Sequence, residues 1–283
     1  MQTESILEKG TAGINEDCLI IQENIFGVFD GATSLTGKTF PQGKTGGQMA
    51  AQTAGSVFSQ NHYPLTRLAR QANQQIRSRM IRHKVNVSEK ENLWSTSAAV
   101  VRVTENGLEW VQTGDSVILL IYRDGSHKVL ADPEDHDYET LTMWKDLVED
   151  RLQKPPIACD SVSGEDINAI KQALAPQVKK VRQGMNIHYG VLNGEPGAEA
   201  FLNQGTEPLD NVTDILLFTD GLSMPREIPE KQKDYASLVN VYQSLGLEGV
   251  KDMIREKEKT DPFCLAFPRF KCHDDIAAIA VKI

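Results

Sequence analysis

Cysteine is scarce in this sequence: four residues, Cys18, Cys159, Cys264 and Cys272, are scattered without a CxxC pair. That usage gives neither a disulfide framework nor a zinc knuckle. The adjacent Cys272-His273 falls short of the four well-spaced ligands of a structural zinc site. No stretch approaches the ~20 apolar residues of a spanning helix. The opening MQTESILEKGTAGINED carries charges where a signal peptide would need an apolar core. A cytoplasmic protein without a membrane partner is expected. Positive charge is also in deficit. A formal net charge of -9 and a pI near 5.2 argue against broad binding to nucleic acid or anionic lipid. There is no repeat of solenoid length, no low-complexity tract and no long linker. The 283 residues, 40% hydrophobic, are therefore expected to form one domain over 1–283 around a sizeable core.

What is present is an alternation of strand and helix blocks. Residues 18–21 (CLII) and 25–29 (IFGVF) read as a hairpin about Glu23-Asn24, residues 46–60 as a small-residue helix, and 64–84 as a second helix. Between 94 and 131 the runs SAAVVRV, LEWVQT, SVILLIYR and HKVLA are joined at Glu105-Asn106-Gly107, Gly114-Asp115 and Asp124-Gly125. This pattern predicts an antiparallel meander. From 135 to 182 the chain turns charged and helical, with Pro155-Pro156 dividing two helices. Strands are expected again at 187–192, 198–203 and 212–219, helical segments at 230–258, and a last strand in DIAAIAVKI. Antiparallel runs with helices in separate blocks place the chain in the α+β class. Within the second helix Arg67, Arg70, Arg77, Arg79, Arg82 and Lys84 give an acid-free basic stretch. It reads as a solvated face or as a dock for an acidic partner.

Two apolar runs stop on the same dipeptide, FGVFDGATS at 26–34 and ILLFTDGLS at 215–223. Taken singly, Asp-Gly is a turn signal, because both residues tolerate positive φ. Asn15-Glu16-Asp17, Gly114-Asp115-Ser116 and His273-Asp274-Asp275 repeat the placement of carboxylates at a strand end. If those ends converge, uncompensated charge would cost on the order of several kcal/mol unless cations sit among them. Hard oxygen donors select Mg²⁺ or Mn²⁺, and a glycine after the aspartate lets backbone approach the ion.

Together FGVFDGATS, SAAVVRV…VQTGDSVILL, ILLFTDGLS and HDDIAAIAVKI, with NED at 15–17, occur in the order and approximate spacing of a known motif set. The chain resembles the metal-dependent serine/threonine phosphatases of the protein phosphatase 2C family. GVLNGEP at 190–196 is similar to bacterial members. The resemblance implies a four-layer α-β-β-α sandwich with a central antiparallel β-sandwich, a variable helical flap over roughly 133–186, and two Mn²⁺ or Mg²⁺ ions in a cleft at one end. By motif position Asp30 would bridge the metals, the Gly31 carbonyl would bind one, and Asp220 and Asp274 would ligate the other side. Glu16 and Asp17 would lie close, partly through water, and Asp115 matches the position of a third, weaker ion in bacterial relatives. Asp275 stands where the family usually has asparagine. The implied reaction is hydrolysis of phosphoserine and phosphothreonine in protein substrates. A bridging hydroxide would attack and no side chain would act as nucleophile, so Asp30 and Asp220 are catalytic only through the metals. A cognate Ser/Thr kinase is the implied partner.

Departures from the family pattern keep two other readings open. Ala32 replaces a histidine proposed as general acid, and Ala12 replaces the arginine that grips the substrate phosphate. Lys9, Lys38 and Lys44 are the candidate substitutes. His136 matches a family Asp-His motif or is a capping histidine. A binding or regulatory protein that kept the fold and lost efficient turnover is the alternative these changes permit. VFDGAT also fits a haloacid-dehalogenase-type hydrolase with Asp30 as nucleophile. That chemistry requires a parallel sheet and a second aspartate where Ala32 stands.

Overall fold

Alternation along single strands builds the molecule. In β3 (Ile25–Ala32), Phe26 and Val28 face one core while Ile25 and Phe29 face another. The structure, a computed structural model, describes residues 1–32, 35–133, 135–152 and 164–283. Pro155-Pro156 lie outside these residues.

Among the described residues, ten strands form two antiparallel sheets. One runs in the order β1 (Gln2–Glu8), β10 (Ile276–Lys282), β9 (Val212–Phe218), β6 (Val117–Tyr122), β7 (His127–Val129). The other runs β2 (Cys18–Gln22), β3, β4 (Ser95–Thr104), β5 (Gly107–Thr113), β8 (Asn203–Glu207). Their inner faces meet in an apolar layer that includes Phe26, Val28, Val101, Ile118, Leu217 and Ile279. The outer face of the β3 sheet is covered by α1 (Gly46–Phe58) and α2 (Leu65–Arg82) through Phe29, Phe58, Leu68 and Ile76. Helix α5 (Tyr235–Lys259), broken at Gly246, covers the other sheet through Leu238, Val250 and Ile254. The result is the expected four-layer α-β-β-α sandwich. Helices α3 (Tyr138–Leu152) and α4 (Gly164–Gln183) pair on Trp144, Val148, Ile170 and Leu174, and the Trp144 Nε1 donates to the Cys264 carbonyl at 2.8 Å. No described helix is long and apolar enough to cross a membrane.

Two expectations are corrected. The four runs between 94 and 131 are two separate hairpins, because Gly114-Asp115 carries the chain from β5 in one sheet to β6 in the other. Residues 187–192 make only isolated bridges, and 196–201 form a 3-10 helix ahead of β8. Neither Asp30-Gly31 nor Asp220-Gly221 is a positive-φ turn. The glycines are required by close approach instead. A Cβ at Gly31 would lie 2.4 Å from the Glu16 carbonyl oxygen, and one at Gly221 would lie 2.0 Å from that of Asp275. The basic face of α2 serves partly as tertiary struts. Arg70 pairs with Glu199 at 3.1 Å, Arg79 donates to Thr53 at 3.0 Å, and the Arg67 guanidinium stacks 3.7 Å over Tyr63.

Antiparallel pairing fixes which strand ends coincide. The C-terminal ends of β3 and β9 lie with the N-terminal ends of β2, β4, β6 and β10. All the acidic motifs are at those ends. Replacing Ile118, which is fully buried between the sheets, with alanine should lower the unfolding free energy by about 2–5 kcal/mol in urea titrations. Leu7→Ala, at a side 54% exposed, should change it by less than about 0.5 kcal/mol.

Candidate metal centre

The inner face of the sandwich turns polar at this end. Asp30 is the next inward position after Phe26 and Val28, and its cross-strand partner is Ser97. Ser97 Oγ meets Ser116 Oγ at 2.5 Å, joining the first polar position of one sheet to that of the other. The apolar layer therefore ends in a hydroxyl pair, with Asp30 beside it.

Three carboxylates converge there. Asp30, Asp115 and Asp220 each offer an oxygen, all within 4.8 Å of one another. They come from three places in the fold: β3, the β5–β6 crossing, and the 3-10 turn Asp220–Leu222 after β9. Asp274, just ahead of β10, lines the same cavity. Its Oδ1 accepts from Lys271 Nζ at 2.7 Å and from the Asp275 amide at 2.8 Å. Asp17 is buried behind them and accepts from the Thr219 hydroxyl at 2.8 Å. Glu16, also buried, accepts from Thr45, the N-cap of α1.

Like charge in a poorly hydrated place favours protonation. Burial, then Asp17, Asp220, Asp115 and Asp274, hold the Asp30 carboxyl well above its ordinary range. Burial lifts Asp17, the Thr219 hydroxyl pulls it back, and Asp274, Asp220 and Asp275 push it further up. Asp220 is raised to about 7 by burial and by Asp274 and Asp115, against the opposing pull of Lys233 and a hydrogen bond with Asp30.

Asp275 has another occupation. Its Oδ1 accepts from the Gly10 amide at 2.8 Å and its Oδ2 from the Glu16 amide at 2.9 Å. It thereby clasps the loop that crosses this end from β1 to β2. Arg255 holds the segment from below. It donates to the Asp274 carbonyl at 2.7 Å while pairing with Glu8 and Glu258, each at 2.8 Å. Cys272-His273 belongs to this network, since His273 Nδ1 meets Glu258 Oε2 at 2.8 Å.

The sequence matches the family model of protein phosphatase 2C over residues 19–257. This chain belongs to the protein phosphatase 2C family. No curated protein matches it in sequence. Among solved structures it resembles the Mycobacterium tuberculosis serine/threonine phosphatase PstP/Ppp, at 17% identity and a TM-score of 0.57 over 100% of this chain and 98% of that one. A PstP catalytic domain solved in complex with two manganese ions matches at 14% identity and a TM-score of 0.56, covering 99% and 97%. Staphylococcus aureus Stp1 matches at 14% identity and a TM-score of 0.59, covering 100% and 94%. At these identities the likeness establishes a shared fold. Both sheets are antiparallel, so the dehalogenase-type reading of Asp30 is set aside.

Against the protein phosphatase 2C pattern, the basic candidates separate. Lys9 and Lys38 are exposed, and Lys44 donates to Gln52 at 2.7 Å. None of the three lines the cavity that holds Asp30. His136 does line it, stacked on Tyr189 with ring centroids 4.0 Å apart. Arg182 of α4 and Lys271 also line it, and sequence reading missed both. Lys271 was open to notice three residues before Asp274; Arg182 lies far in sequence from every acidic motif.

Asp220 titrates higher folded than unfolded, so its contribution to stability is present below about pH 4 and is lost as pH rises towards 7. In chelator at pH 8, Asp220→Asn should melt about 5 °C above the unsubstituted protein, and the gap should close on acidification to about pH 4. Differential scanning fluorimetry across pH reads both. Arg255→Met removes one side of a largely buried ion network and should cost about 3 kcal/mol or more in urea titration.

Proposed function

We propose that this protein is a metal-dependent phosphoprotein phosphatase that hydrolyses phosphoserine and phosphothreonine esters. The observation that carries the proposal is the convergence of Asp30, Asp115 and Asp220 within 4.8 Å, in surroundings that raise the Asp30 and Asp220 carboxyls well above their usual range. An all-oxygen donor set of that charge fits Mn²⁺ or Mg²⁺, and cations would relieve the repulsion that now favours protons. The manganese pair is a feature of the PstP relative, and family membership extends it to this chain as part of the proposal.

Asp30, the Gly31 carbonyl, Asp220 and Asp274 would hold the two ions, and Asp115 a third. Two such ions supply Lewis acidity that activates water and stabilises charge on a transferring phosphoryl group. The protein's own contribution is placement. Thr219 fixes the Asp17 carboxylate and Thr45 fixes Glu16. Asp275 ties this segment to the Gly10 and Glu16 amides, and Arg255 holds the Asp274 carbonyl. Gly31 lets β3 reach the Glu16 loop and the start of α1 without a side chain between them. Ala32 supplies no proton at the position of the family histidine, so no described side chain there acts as general acid. That departure, with Ala12, favours the second reading, a regulatory or binding protein with weak turnover. A phosphoprotein ligand is common to both readings; a partner kinase belongs to the first.

Hydrolysis of an aryl phosphate should require Mn²⁺ or Mg²⁺, vanish in excess chelator, and fall at least about 100-fold in Asp30→Asn and Asp220→Asn. Full turnover in Asp30→Asn would overturn the metal reading. Absence of turnover in the unsubstituted protein, with clear Mn²⁺ binding by calorimetry, would establish the regulatory one.

A further inference from the structure

We propose that Arg182, at the C-terminal end of α4, binds the phosphoryl group of the substrate and supplies the cation this chain lacks at Ala12. The inference rests on the phosphomonoester reading above, and it assigns the part of the site that the acidic motifs leave undefined.

Geometry places Arg182 at the right station. It lines the cavity walled by Asp30, Asp115, Asp220 and Asp274. Its Nη1 donates to Ser95 Oγ at 2.9 Å. Ser95 pairs across the ladder with Ala32, and Ser97, two residues on, pairs with Asp30. Residues two apart on a strand share a face and lie about 7 Å apart. The guanidinium is thus anchored at Ser95, one same-face position along β4 from the partner of Asp30 and opposite Ala32, where the family histidine is absent.

Arg182 acts on the Asp137 carboxyl in the same cavity as well as donating to Ser95, and the neighbouring cations are paired with carboxylates too. Lys271 is ion-paired with Asp274 at 2.7 Å, Arg226 with Asp135 at 2.6 Å, and Arg269 with Asp261 at 2.8 Å. Chemistry also favours arginine. Its planar fork of N–H donors matches two phosphate oxygens at once, and it stays charged at any working pH. For the same reason it does not replace the missing histidine as a proton donor. Arg182 is therefore a binding group for a dianionic phosphomonoester. Because it sits on α4, substrate affinity is tied to the helical flap.

The test measures inorganic phosphate binding to the manganese-loaded protein by calorimetry, alongside KM and kcat for an aryl phosphate and Tm. Arg182→Ala should weaken phosphate binding at least about tenfold and raise KM to match, with Arg182→Lys recovering part of the loss and Tm within about 2 °C. Phosphate affinity and KM within twofold of the unsubstituted protein, in a folded Arg182→Ala, would overturn the proposal and leave Arg182 as a strut between α4 and β4. Should Arg182→Ala fail to fold, Arg182→Gln, which can still donate to Ser95, carries the same test with the same two outcomes. If the unsubstituted protein binds phosphate through Arg182 yet hydrolyses nothing, the phosphatase reading falls and this inference stands.

Discussion

Mutual repulsion among carboxylates held at one end of the β-sandwich is the constraint around which the rest of the structure is arranged. Asp17, Asp30 and Asp220 are held up towards protonation by burial and by one another. A fold that relaxed would separate them and hydrate them. It is prevented from doing so because each comes from a different element, and each element is fixed by a core that has nothing to do with charge. Phe26 and Val28 set where Asp30 points; Leu217 and Phe218 set where β9 releases Asp220. Apolar burial across two sheets outweighs the local repulsion, and this lets an unfavourable charge arrangement persist in the native state.

A second set of contacts prevents the loops from relieving the strain. Asp275 spends both carboxylate oxygens on the amides of Gly10 and Glu16, so it draws the Glu16-Asp17 loop towards the cluster. Arg255 binds the Asp274 carbonyl and is itself balanced by Glu8 and Glu258. The family asparagine would have one acceptor oxygen and one amide for the same station. An aspartate with two acceptors suits two backbone donors, which accounts physically for a carboxylate at this station.

Much of this was legible in the sequence, for reasons that particular residues show. The continuous apolar runs FGVF and ILLF marked β3 and β9, and the abrupt carboxylates after them marked the site. The meander misled because a Gly-Asp pair serves a hairpin and a sheet-to-sheet crossing equally well. Whether β6 pairs with β5 or with β9 is decided by burial of its inner face, at Ile118 and Leu120, against the opposite sheet. β1 and β8 were illegible because edge strands have little apolar signal. In QTESILE only Ile6 is buried, and NQGTE has no apolar side chain. An Asp-Gly pair taken singly signals a turn because that preference is local, whereas the backbone approaches that require Gly31 and Gly221 come from residues distant in sequence.

The same distinction separates the two halves of the candidate site. Its acidic half comes from strand ends and their loops, where register is fixed by pairing on both sides and a one-residue slip would turn the carboxylate away. Its proposed basic half, Arg182, is carried by a helix that packs on α3, and its guanidinium donates to Ser95 on the sheet. A strand-borne metal wall tolerates little change, because moving any carboxylate disturbs the sandwich core with it. A helix-borne phosphate wall tolerates more, since α4 carries its own small core on Ile170 and Leu174. Loss of the usual histidine and arginine from the strand-end motifs is therefore compatible with a retained metal centre. On the proposed role of Arg182, substrate recognition would depend on how α3 and α4 are seated, separately from the geometry that brings Asp30, Asp115 and Asp220 together.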